Sequence, residues 1–122
     1  MSLQESGEMY LETIYVLSKK SDSVRSLDVA EQMGFSKPSV SRAMGILEKD
    51  GYIEFGIGNM INLTEKGQEK ASDVYSRHQL LTKFIVKIAG IPEDQAEKNA
   101  CRIEHVIDSD VVEGIKNWIN KN

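Results

Sequence analysis

Cys101, Glu104 and His105 place a thiolate, a carboxylate and an imidazole close together in the sequence. On a helix they stand at i, i+3 and i+4 and project from one face. This donor set suits a borderline divalent transition metal far better than calcium or magnesium, which take oxygen ligands. Three ligands on one helix leave a coordination sphere open, so other parts of the chain must complete it.

Other metal-capable residues lie elsewhere in the chain. Met9 and Glu12 are three residues apart on a helix expected from Gly7 to Lys20, beside an apolar stripe of Tyr10, Ile14 and Leu17. Taken alone, Met9 is a core filler and Glu12 a solvated charge. His78 sits on the apolar stripe of a long helix expected from Thr64 to Ala89, among Ala71, Val74, Tyr75, Leu81, Ile85 and Ile88. A histidine in such a place is ordinarily a hydrogen-bonded core residue, with metal ligation the sharper alternative. Gly90 ends that helix, and Pro92 opens another, expected to reach Ile107 and to carry the Cys101 cluster. Ser109 is the expected cap of a last helix, whose Val111, Val112, Ile115, Trp118 and Ile119 form an apolar face for the long helix or a second subunit.

The first half of the chain has a different character. Ser26 is the expected cap of a short helix, Leu27 to Met33, with Leu27, Ala30 and Met33 inward. Gly34-Phe35 makes a turn, Ser36 caps the next helix and Pro38 falls in its first turn, where no amide partner is lost. That helix runs to Asp50 with Val40, Met44 and Leu47 inward, completing a helix-turn-helix. Its outer face presents Pro38, Ser41, Arg42, Gly45 and Lys49, with Lys37 and Ser39 near the start. Small, polar and basic, this face fits a helix entering the major groove, where approach must be close and donors must meet phosphates and base edges. An ordinary solvated face is the plainer reading. Two strands follow, Ile53–Phe55 and Met60–Leu63, around a Gly56–Asn59 turn. A helix-turn-helix followed by a hairpin is a winged helix. The wing tip has no Lys or Arg, so its phosphate contacts are expected to be weak and made by amides.

The expected fold class is therefore mainly α, with a winged helix-turn-helix over residues 1–63 and an all-helical domain over 64–122. With 122 residues, 40% of them hydrophobic, and charges of both signs interspersed, the chain suits one compact body or two small lobes. No apolar run approaches a membrane span and no secretory signal is visible, so no membrane partner is expected. The single cysteine leaves no internal disulfide and fits a reducing cytoplasm, which is the expected location. A net charge of −4 argues mildly against nucleic acid, but a basic face can coexist with an acidic remainder.

Five segments, taken in order and at their spacing, resemble the diphtheria toxin repressor family, whose manganese-responsive branch is the manganese transport regulator group. They are Glu8-Met9-Tyr10-Leu11-Glu12-Thr13-Ile14-Tyr15, Pro38-Ser39-Val40-Ser41, Leu63-Thr64-x-x-Gly67, Arg77-His78-x-Leu80-Leu81 and Ala100-Cys101-x-x-Glu104-His105. The resemblance implies a homodimeric, metal-activated repressor of a pseudo-palindromic double-stranded DNA operator, not an enzyme. It also implies that the second domain binds metal and dimerises. Met9, Cys101, Glu104 and His105 match the principal metal site of iron-responsive members, with cysteine contributing either its sulfur or its carbonyl. Glu12 and His78 match ligands of the second site in manganese-responsive ones. Ser36, Lys37, Pro38, Ser39, Ser41 and Arg42 are the expected DNA-binding residues, Arg42 as base reader and Ser36 and Pro38 near thymine methyls.

The sequence departs from the iron-type pattern at two positions. Thr82 stands where iron-type members carry glutamate, and Glu97 where they carry histidine. Glu97 falls four residues before Cys101 on one helical face and can still supply an oxygen. Soft donors at Met9 and Cys101 lean toward Fe(II), while Glu12 and His78 keep Mn(II) in play. The expected mechanism ties the first helix to the Glu104–His105 segment and so spaces two recognition helices by about 34 Å, one turn of B-DNA. Two rivals remain at this point: a winged-helix regulator of a small molecule, and a small metal hydrolase.

Overall fold

The structure, a computed structural model, describes residues 5–122. In chain order the elements are α1 (Glu5–Lys20), α2 (Ser26–Met33), α3 (Lys37–Lys49), β1 (Ile53–Phe55), a single 3-10 turn (Ile57–Asn59), β2 (Ile61–Leu63), α4 (Glu65–Ala89), α5 (Glu93–Ile103) and α6 (Ser109–Lys121). The chain divides into two compact units, residues 1–72 and 73–122, and the division falls within α4.

In the first unit, α1 buries Leu11 and Ile14 completely and Tyr10 and Tyr15 nearly so, while Leu17 stays half-buried. Glu8 is also buried, its carboxylate 3.3 Å from Lys70 Nζ in the early part of α4. Ser26 is the first residue of α2 and not its cap. Arg25 takes the extended cap position, and its amide donates to Asp28 Oδ2 at 2.8 Å. Leu27, expected inward, is 47% exposed and Val29 is buried instead, while Ala30 is buried as expected and Met33 half-buried. Helices α2 and α3 are joined through Gly34, whose positive φ of 70° closes the end of α2 while its amide donates to Ala30 O. Ser36 caps α3 by accepting from the Ser39 amide, and Val40, Met44 and Leu47 are buried as their spacing predicts.

The wing is shorter than expected on its second strand, which starts at Ile61. Ile53 pairs with Leu63 and Phe55 with Ile61. Ile53 and Ile61 are buried, whereas Phe55 and Leu63 are only half-buried. The Ile61 amide donates to Val24 O at 2.7 Å, so the segment before α2 occupies part of the hairpin's edge.

The start of α4 rests directly on this layer. Thr64 Oγ1 accepts from the Gly67 amide (3.0 Å) and donates to Gly51 O (2.6 Å), capping the helix and binding it to the end of the α3–β1 connection. A Cβ added to Gly67 would lie 1.9 Å from Tyr52 O. Backbone meets backbone here, and only glycine fits. This contact gives the Leu63-Thr64-x-x-Gly67 pattern its physical reason.

In the second unit, the later part of α4 buries Val74, Leu81 and Thr82, while Tyr75 and Ile85 are half-buried and Ile88 is exposed. Gly90 (φ 66°) ends α4, Pro92 stands at the cap of α5, and Ala96 and Ala100 are the buried residues of α5. Helix α5 stops at Ile103 instead of continuing to Ile107. The Glu104 carbonyl, which a continuing helix would bond to an amide four residues on, instead accepts from Arg77 Nη1 at 2.6 Å. Ser109 is the first residue of α6, with Asp108 at the cap position. No residue of α6 is buried. Trp118 meets Phe84 edge-on at 5.4 Å, and Val111 and Trp118 stay exposed. Gly67→Ala should lower unfolding stability by about 3 kcal/mol through overpacking, checked by chemical denaturation against Gly45→Ala, whose added methyl meets nothing within 4 Å.

Candidate metal centre and recognition helix

Glu104 is the fixed point of the second unit's chemistry. Its side chain is fully buried, although the residue is a carboxylate. Oε2 lies 2.6 Å from His78 Nδ1 and Oε1 lies 3.0 Å from His105 Nε2. The two imidazoles are themselves 17% and 3% exposed. Cys101 Sγ stands within 4.8 Å of a Glu104 carboxylate oxygen. One buried carboxylate is thus placed among two imidazoles and a thiol.

Local structure explains each position. His78 reaches Glu104 from α4, where its ring stacks on Tyr75 (centroids 6.3 Å apart) and its carbonyl accepts from Thr82 Oγ1 at 2.9 Å. The hydroxyl at position 82 therefore bonds to its own helix. Glu104 keeps helical dihedrals at the end of α5 and so preserves the i, i+3 relation to Cys101. His105 lies beyond the helix, in the turn that follows. The helix expected to carry all three ends before His105, so Cys101 and Glu104 keep the helical relation and His105 approaches Glu104 from the turn. Cys101 and Glu97 are exposed while Glu104 is buried. In the first unit, Met9 and Glu12 are half-buried on α1.

The donors in the second unit pass the test of fit for a transition cation. Imidazole, carboxylate and thiolate are the ligand types that such ions share, and a buried carboxylate is stable only where cationic partners converge on it. Arg77 was missed in the sequence reading. Its Nη1 bonds the Glu104 carbonyl and Nη2 lies 3.8 Å from Asp73 Oδ2, so it sets the backbone that carries Glu104. Its place immediately before His78 in the motif was the available signal.

On α3, Ser36, Lys37, Pro38, Ser41, Arg42, Gly45 and Lys49 are exposed and Ser39 is half-buried. Ser36 Oγ donates to Ser39 Oγ at 2.9 Å, so these two hydroxyls are tied to each other. The first turn of α3 carries no acidic residue. Its N-terminal end is therefore positive from both helix dipole and side chains. Ile46, 61% exposed and one turn after Arg42, belongs to the same surface. It too was missed, although it falls outside the Val40, Met44, Leu47 spacing.

Two family models match the chain. The iron dependent repressor N-terminal DNA binding domain covers residues 2–56, and the iron dependent repressor metal binding and dimerisation domain covers residues 64–121. Among relatives, the iron-dependent repressor IdeR of Mycobacterium tuberculosis is 35% identical over 109 residues, 89% of this chain and 47% of its own length. The chain thus spans about half the length of the curated relatives it matches first. An uncharacterised helix-turn-helix-type regulator of Methanocaldococcus jannaschii is 28% identical over 98% of this chain and 96% of its own. Among solved structures, the manganese regulator SloR aligns with a TM-score of 0.82 at 28% identity, covering all of this chain and 56% of that one. Glu104→Ala should weaken binding of Mn(II) by about 10–100-fold or more, read as the rise of the free-ion signal in electron paramagnetic resonance.

Proposed function

Because the chain belongs to the iron-dependent repressor family, we propose that it is a homodimeric transcriptional repressor that binds operator DNA when Fe(II) or Mn(II) is bound. The observation that carries this reading is the fully buried Glu104 carboxylate between His78 Nδ1 and His105 Nε2, with Cys101 Sγ close by. We assign residues 1–63 to DNA binding and 64–122 to metal binding and dimerisation. The apolar, incompletely buried face of α6, with Val111, Ile115 and Trp118, supplies the dimer surface. No helix among the described residues is long and apolar enough to cross a membrane, and the protein acts on DNA in the cytoplasm.

In this reading Met9 and Glu12 of α1 join His78, Cys101, Glu104 and His105 as ligands. Glu97 stands one turn before Cys101 as a source of a further oxygen. A divalent cation supplies positive charge that several carboxylates and a thiolate can share without repelling one another. The ligands of α1 are then tied to those after α5, and this favours the arrangement in which two α3 helices meet successive major-groove turns about 34 Å apart. Regulation follows from differential affinity, since an effector that prefers the DNA-competent arrangement raises DNA affinity by the same factor. Met9 and Cys101 as soft donors favour iron over manganese.

On α3, Arg42 reads a base edge, Ser36 and Pro38 lie near thymine methyls, and Lys37, Ser39 and Ser41 contact the backbone. Arg42 makes no hydrogen bond or ion pair among the described residues, so its guanidinium is available to a ligand.

The test is fluorescence anisotropy on operator duplexes selected from random sequence, titrated anaerobically with Fe(II) and with Mn(II) and then with chelator. Binding should appear with metal and vanish with chelator in the wild type, and be absent in Glu104→Ala/His105→Ala. Equal operator binding by that double variant with and without metal would instead favour a small-molecule sensor. Half-saturation at lower free Fe(II) than Mn(II) is expected, and the reverse order would overturn the preference for iron. Arg42→Ala should cost about 1–3 kcal/mol on the selected operator and less on scrambled duplex, whereas an equal loss on both would demote it to a phosphate contact.

A further inference from the structure

The wing has an electrostatic peculiarity. Its tip, Ile57-Gly58-Asn59, carries no cation, and Ile57 is 94% exposed. A tip of this composition offers a polyanion little. The structure supplies the missing charge from a different part of the chain, because Arg25, at the cap of α2, donates from Nε to Gly58 O at 2.9 Å. Its Nη1 donates to Ser23 Oγ at 3.0 Å, and its own amide is fixed by Asp28 Oδ2 at 2.8 Å. The guanidinium is thus held at two points against the bend of the wing, its backbone is fixed at a third, and the residue is exposed.

Close approach at this point depends on Gly58. Its φ is 66°, and a Cβ there would lie 3.3 Å from Arg25 Nη2. Nε and Nη1 are engaged with the protein, while Nη2 makes no hydrogen bond among the described residues. Neither bond to the guanidinium neutralises it, since a carbonyl and a hydroxyl carry no net charge. A positively charged, oriented fork therefore stands at the wing tip with donors to spare. Arginine presented this way loses little freedom on meeting a phosphate.

We propose that Arg25 is the cation of the wing, and that it takes a non-bridging phosphate oxygen of the operator backbone beside the groove entered by α3. This rests on the DNA-binding reading above. It replaces the expectation, drawn from the tip's own composition, that the wing contacts phosphates only through amides.

The experiment uses the full chain loaded with Mn(II), with operator affinity measured by anisotropy across a KCl series. Arg25→Gln should flatten the slope of log K against log salt by about 0.9 per lost contact, hence by about 1.8 for a dimer with one contact per subunit. Its loss of affinity should be equal on operator and scrambled duplex, because a phosphate contact carries no base identity. Arg25→Lys, which keeps the charge, should retain most of the wild-type slope. If Arg25→Gln keeps the wild-type slope, whether or not its affinity falls, the residue only braces the wing and the proposal is overturned. Arg25→Met gives the same readout if the glutamine variant does not fold. A wild type that binds no operator under any metal condition would overturn both this proposal and the reading beneath it. An unchanged slope in a variant that still responds to metal removes this proposal alone.

Discussion

A carboxylate sealed from water is the constraint around which the second unit is arranged. Removing Glu104 from solvent is costly unless opposite charge or strong donors converge on it; His78 Nδ1 meets one oxygen at 2.6 Å and His105 Nε2 lies 3.0 Å from the other. Arg77 fixes the carbonyl of the same residue, so the ends of side chain and backbone are both specified. That one residue therefore determines where α5 stops, which way the next turn runs, and where His105 arrives. Local helix propensity would have carried α5 further. The bond from Arg77 takes the carbonyl that a further turn would have used.

In the first unit the corresponding constraint is steric. Gly67 lets α4 approach the Tyr52 carbonyl, and Thr64 closes the same junction by bonding to Gly51. The wing, the end of α3 and the start of α4 thus form one packed corner. The ion pair of buried Glu8 with half-buried Lys70 adds α1 to it. A half-exposed ion pair adds little stability, but its geometry favours one register of α1 against α4. The α1 register so fixed is the one that sets where Met9 and Glu12 lie along their helix.

Much of this was legible from spacing alone. Val40, Met44 and Leu47 recur at helical intervals and are buried, and Ser36 caps the helix that they belong to. Alternation in the hairpin identified Ile53 and Ile61. What escaped was whatever depends on a partner distant in sequence. Leu27 looked inward by pattern, but α2 turns Val29 to the core beside the expected Ala30. Nothing near Glu8 announces Lys70, and nothing near Arg25 announces the Gly58 carbonyl. Among the metal-capable residues, Cys101, Glu104 and His105 were plain from type and interval. Periodicity left His78 between two readings, and its 2.6 Å contact with Glu104 fits both.

Gly45 shows how the competing demands on α3 differ from those on the rest of the fold. It is exposed in mid-helix, with open space where a methyl would go. Nothing in the folded chain requires its absence of a side chain, and glycine there costs helix stability relative to alanine, by roughly 0.5–1 kcal/mol. Directed evolution guided by heat resistance alone would therefore drift toward alanine at this site and be rewarded for it. If α3 reads DNA as proposed, each such step would thicken the surface that slips between two sugar–phosphate strands. Robustness and fit are traded against each other at a single atom.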